Sequence, residues 1–119
     1  MLRQPAAFRL LFWLATAFAV TMAVLPHPPR GPLDRFGDKV EHIVAFAVLA
    51  TLANLGFGDA PKRVIVERLS FLGAAIEVVQ SIPALHRDCD VRDWIVDTIA
   101  VAVVTLLAAA VSSRRAGHG

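Results

Sequence analysis

The sequence predicts an all-α polytopic membrane protein, a bundle of four transmembrane helices forming one domain over residues 1–119. Three observations carry that expectation. Of the residues, 56% are hydrophobic and 18% charged, where a soluble domain carries about a quarter charged. The apolar residues gather in four blocks, about 8–25, 40–57, 69–85 and 94–113. Each block is close to the ~17–25 residues that cross a bilayer as a helix. No block has the wide polar face that a helix on the surface of a soluble bundle presents to water.

The first block, Phe8 to Leu25, carries no charge after Arg9. Arg3, Arg9 and the Ala17-Phe-Ala19 triplet share features with a secretory signal, but cleavage there would leave too short an apolar core, so a retained span is expected. Pro26-His-Pro-Pro-Arg-Gly-Pro32 cannot continue a helix, because proline lacks the amide donor and its ring clashes with the preceding turn. Asp34 or Asp38 is expected to cap the second helix. The second block, Val40 to Phe57, runs into Asn54-Leu-Gly-Phe-Gly-Asp-Ala-Pro61, in which Asn54 reads as a helix terminator. The third block, Leu69 to Leu85, meets Pro83 near its end, where a kink or stop is expected. The fourth, Trp94 to Ser113, follows Asp93, and an Asp before an apolar run most often serves as the helix N-cap.

With four spans both termini lie on one side. An N-in arrangement places Arg3, Arg9, Lys62, Arg63, Arg68, Arg114 and Arg115 in the cytoplasm. It leaves Arg30, Arg35, Lys39, Arg87 and Arg92 outside. Seven basic residues against five favour cytoplasmic N- and C-termini. The net charge of +2 thus belongs to the flanks of spans, and no nucleic-acid partner is expected. The single Cys89 rules out an internal disulfide framework. His86, Asp88, Cys89 and Asp90 are dense in one loop but fit no zinc spacing, so neither metal nor cofactor is expected.

Polar residues inside the apolar blocks mark the candidate site. Glu77 interrupts the third block, and a carboxyl group at bilayer depth costs roughly 2.5–3.5 kcal/mol on insertion scales, so it faces protein or trapped water. Gln80, three residues on, shares its face. Asp38 and Lys39 share a face with His42, and Asp93 shares one with Asp97. In the four-span arrangement all three groups fall in the outer third of the membrane. Glu77 is expected about two turns below the surface and Gln80 about one, at 1.5 Å per residue. Simpler roles exist for some of them: Lys39 and Arg87 as snorkelling anchors, and Gln80 as an interhelical hydrogen bond. Glu77 and Asp97 lack such an outlet.

Asp38-Lys-x-x-His42, Glu77-x-x-Gln80 and Arg87-x5-Asp93 with a polar residue four later form an ordered set that resembles the VanZ-like family of small bacterial membrane proteins. The resemblance runs from Asp38 to about Val104. It departs from the family's usual pattern at Asp97, where Asn is frequent, and at Ala100, where Gly is. It implies a bacterial inner-membrane location and a cell-envelope context, since the family takes its name from a protein associated with resistance to teicoplanin; it implies no reaction.

Three functions are then expected. In the first, an outward-facing pocket binds or modifies an envelope lipid or a lipid-linked glycan. Asp38, Lys39, Gln80, Arg87 and Asp93 would bind the ligand, and Arg92 with Lys39 and Arg87 could hold a phosphate. His42, Glu77 and Asp97 are the candidate catalytic groups, Glu77 and His42 as base and acid. In the second, the protein is a structural or accessory membrane protein. Its polar cluster and small residues (Ala45, Ala47 and Ala50; Gly73, Ala74 and Ala75; Ala100 and Ala102) fix helix packing. The third, a proton- or ion-coupled carrier, needs a polar path that the apolar inner half of the spans does not offer.

Overall fold

The computed structural model of the chain describes residues 5–25, 38–82 and 91–118, with side chains described over 5–25, 40–82 and 91–111. Four α-helices make up almost all of it: α1 (Pro5–Val24), α2 (Asp38–Gly56), α3 (Lys62–Gln80) and α4 (Val91–His118). Proline suits the first turn of α1, where its missing N–H would have had no helical partner. α2 ends at Gly56, within the stretch 54–61 that the sequence marks as a stop. Pro61 sits before α3 with an extended backbone (φ −58°, ψ 138°).

The helices alternate in direction. Arg9 near the start of α1 meets Gly56 at the end of α2, and Gln80 at the end of α3 meets Ala23 at the end of α1. His42 and Asn54 of α2 contact Asp97 and Thr105 of α4 in the same order along both chains, so α2 and α4 run parallel. Round the bundle, α1 packs on α2, α2 on α4 and α4 on α3. Phe12, Phe46, Leu49, Ala50, Ala53, Ile65, Leu69, Ile76 and Val101 fill the centre.

Two glycines set how closely helices approach. A Cβ on Gly56 would stand 3.0 Å from the backbone nitrogen of Arg9, and one on Gly73 would stand 3.3 Å from Trp94 Cδ1 and 3.5 Å from Asp97 Oδ2. The small residue at 73 therefore lets α4 bring Asp97 against α3.

The outside of the bundle is apolar. Leu10, Trp13, Leu14 and Phe18 of α1 are exposed, as are Val48 and Leu55 of α2 and Ile99, Val103, Leu106 and Leu107 of α4. Two helical stretches, Pro5–Val24 and Val91–Val111, are long and apolar enough to cross a membrane, and Val40–Gly56 is apolar over a shorter length.

The third helix departs from expectation. It covers 62–80 where the apolar run suggested 69–85, and its first two turns carry Lys62, Arg63, Glu67 and Arg68. Those are good helix formers, and Arg63 Nε lies 3.7 Å from Glu67 Oε2 one turn on. Hydropathy hid this start because it registers polarity, whereas helix formation tolerates it. The helix stops at Gln80, before Pro83, which lies outside the described residues. The fourth helix begins at Val91, so Asp93 is in its first turn and is not its N-cap. A carboxylate there still meets the positive end of the helix dipole. The expected cap of α2 is only partly described: Asp38 opens the helix, its side chain and Asp34 lying outside the described residues.

Candidate functional site

At the end of the bundle where α1 and α3 finish, three helices turn acidic or imidazole side chains inward. α2 contributes His42 from its second turn, α3 contributes Glu77 one turn before its end, and α4 contributes Asp93 and Asp97 from its first two turns. His42 Nδ1 lies 3.2 Å from Asp97 Oδ2, so the imidazole N–H donates to the carboxylate across the α2–α4 contact. Asp97 is 1% exposed and Glu77 5%; Asp93 is buried too. One ligating atom each of His42, Glu77 and Asp93 lie within 4.8 Å of one another. The convergence expected of His42, Glu77, Asp93 and Asp97 is thus met in geometry.

Glu77 sits shallower along its helix than expected, one turn from the end and not two, because α3 stops at Gln80. Gln80 faces the other way round the bundle, toward α1: its amide donates to the carbonyl of Ala23 at 2.9 Å. It fastens α3 to α1, the simpler of its two expected roles. The buried Oε1 of Gln80 and Oδ1 of Asp97 have no hydrogen-bond partner among the described residues. Arg92 is exposed at the start of α4. The side chains of Asp38 and Lys39, and all of Arg87, lie outside the described residues, as do His86, Asp88, Cys89 and Asp90.

Beside the cluster an open cleft of about 310 Å³ runs between α3 and α4, lined by Ala74, Glu77, Val78, Ser81, Val91 and Trp94. Among the described residues, Glu77 is the one ionisable group in that lining. The cleft wall is held by Trp94, whose indole N–H donates to the carbonyl of Ser70 (3.0 Å) and reaches its hydroxyl (3.1 Å). Ser70 and Thr98 share a further hydrogen bond of 2.9 Å. Sequence reasoning missed Trp94, Ser70 and Thr98. The only signal was a Trp at the start of an apolar run, where a polar tip needs a partner when buried.

A second polar group occupies the opposite half of the bundle. Asn54 does not terminate α2; it lies inside the helix, buried, and its side-chain amide donates to Ala50 O (2.8 Å) and Thr105 Oγ1 (3.2 Å). Lys62 Nζ donates to Asn54 Oδ1 at 2.8 Å. The half of the bundle around Asn54 is therefore less apolar than the sequence alone indicated. Leu49, Ala50 and Val101, each at most 1% exposed, separate the two polar layers.

Compared with models of known protein families, with curated proteins and with solved structures, the chain gives no match.

Proposed function

We propose that the chain is a four-span protein of the bacterial inner membrane whose outward-facing pocket, built on His42, Glu77, Asp93 and Asp97, binds an envelope lipid or lipid-linked glycan. One observation carries the reading: Glu77 belongs both to the buried polar cluster and to the open cleft between α3 and α4. An acyl or isoprenoid chain suits the apolar walls of that cleft, and a hydroxyl-bearing head group suits the carboxylate at its floor. Arg92, exposed at the start of α4, supplies positive charge at that end for a phosphate; Lys39 and Arg87 are the other cations that the sequence offers for it. Where chemistry follows binding, Glu77 is the candidate base, and His42, oriented by Asp97, the candidate acid.

The membrane setting draws support from the exposed apolar band on α1, α2 and α4 and from helix length. Helices of 19 or 20 residues extend about 28–30 Å, the thickness of a hydrocarbon core. Arg9, Lys62, Arg63 and Arg68 share the end opposite the pocket, which supports a cytoplasmic N-terminus. The order of Asp38, Lys39, His42, Glu77, Gln80, Arg87 and Asp93 supports the VanZ-like resemblance and with it the envelope context.

Native mass spectrometry of gently extracted protein tests the proposal. The expected spectrum retains a lipid-sized adduct in the wild type and loses it in Glu77→Ala. A wild type that carries no adduct in bacterial lipid extract, or a folded Glu77→Ala that keeps it, overturns the reading.

The structural alternative has its own support in the Gln80 bond to α1 and the Trp94–Ser70 bonds, which join helices without need of a ligand. Under that reading Glu77→Gln lowers stability or complex yield. The apolar layer of Leu49, Ala50 and Val101 offers the carrier reading no support.

A further inference from the structure

We infer that His42, Glu77 and Asp93 form a binding site for one first-row divalent metal ion, with Asp97 orienting the histidine. The three residues come from α2, α3 and α4, and one ligating atom from each falls within 4.8 Å of the others. Three ligands of one tetrahedral ion bound at ~2.0–2.2 Å stand roughly 3.3–3.6 Å apart, so side-chain closure by at most about 1.5 Å brings the three atoms onto one ion. Nδ1 of His42 is engaged by Asp97 Oδ2 at 3.2 Å, which leaves Nε2 with the lone pair that coordinates. A carboxylate behind a ligating imidazole fixes its tautomer and raises its basicity. Asp97 is itself an independent pointer: its side chain reaches the cluster, is 2% exposed, and has an Oδ1 with no hydrogen-bond partner among the described residues.

One imidazole with two carboxylates suits Zn²⁺ or Mn²⁺. Mg²⁺ and Ca²⁺ prefer all-oxygen shells. The ion stands independently of the lipid reading. It replaces the proton-transfer role of His42 with a ligand role and leaves the binding role of the pocket untouched.

The test uses the full chain purified in detergent, stripped with EDTA, incubated with Zn²⁺ or Mn²⁺, desalted and assayed for metal per chain. About one ion per chain is expected. Glu77→Gln and Asp93→Asn each abolish stoichiometric binding, and Asp97→Asn weakens it by roughly 10- to 100-fold. Cys89→Ser and His86→Ala retain the ion, which separates this site from the neighbouring loop. A second arm needs no variant: Zn²⁺ protects His42 of the wild type from carbethoxylation, read by peptide mass spectrometry. A wild type without a stoichiometric ion, protection at His86 in place of His42, or full binding in folded Glu77→Gln and Asp93→Asn overturns the site.

Discussion

The two polar layers of this bundle use similar side chains to different ends. In the layer near Arg9, each described bond has its complement. Lys62 donates to Asn54, Asn54 donates to Thr105, and Arg9 Nε donates to the terminal carbonyl of α2 at 2.6 Å while its guanidinium lies 5.1 Å from the Phe57 ring. A cation at a helix C-terminus is placed where the dipole favours it. In the layer near His42, three carboxyl groups gather around one imidazole, and buried oxygens of Asp97 and Gln80 are left without hydrogen bonds among the described residues. The first layer is a finished clamp. The second gathers buried acids of which one, Glu77, also opens on a cleft, the arrangement expected of a site that receives something.

The comparison breaks most easily at the glycines. Gly56→Val drives a side chain into the Arg9 backbone, and Gly73→Leu drives one into Trp94 and Asp97. Each is expected to cost about 1–3 kcal/mol of stability. Denaturant titration in mixed micelles checks both, and only the change at 73 should also disturb the pocket. Next in size is Asn54→Leu, which removes the bonds to Thr105 and Lys62 and should destabilise by roughly 0.6–1.7 kcal/mol. Lipid retention in native mass spectra should survive it. Glu77→Gln should do the reverse. Replacing this buried acid by its neutral isostere removes the cost of burying a charge and is expected to leave stability unchanged or raise it by up to about 1 kcal/mol, while ligand retention falls to background. A loss of stability equal to that of Asn54→Leu would make the two layers alike and return the cluster to a purely structural role. Smallest is Arg63→Ala: the exposed pair with Glu67 is worth about 0.3–0.5 kcal/mol, detectable as a slight fall in the unfolding midpoint at low salt.

How much of this could be read from the chain differs from residue to residue. His42, Glu77, Asp93 and Asp97 were legible as a set, because charge inside an apolar block is rare and helical spacing fixes which residues share a face. The facing of Gln80 toward α1 was not, since a shared face with Glu77 spans enough arc to serve two neighbours. Asn54 reads as a terminator because a position shortly before glycine is a common stop signal, and two of its three bonds, to Thr105 and Lys62, exist only once α4 and α3 are in place. The start of α3 was missed because Lys62, Arg63, Glu67 and Arg68 depress hydropathy without discouraging a helix.

The amino-acid sequence by itself determined the number of helices, the approximate extents of all but α3 and which of their ends lie together. Apolar blocks joined by short connectors can pack only by alternating direction, and alternation brings the ends of α1 and α3 beside the beginnings of α2 and α4. The tertiary structure decided the rotation of each helix about its axis: that Asp97 meets His42 against Gly73, that Glu77 opens on the cleft, and that Gln80 turns to α1. Rotation is set by the close contacts of small residues and by bonds between helices, and neither is written in the periodicity of any one of them.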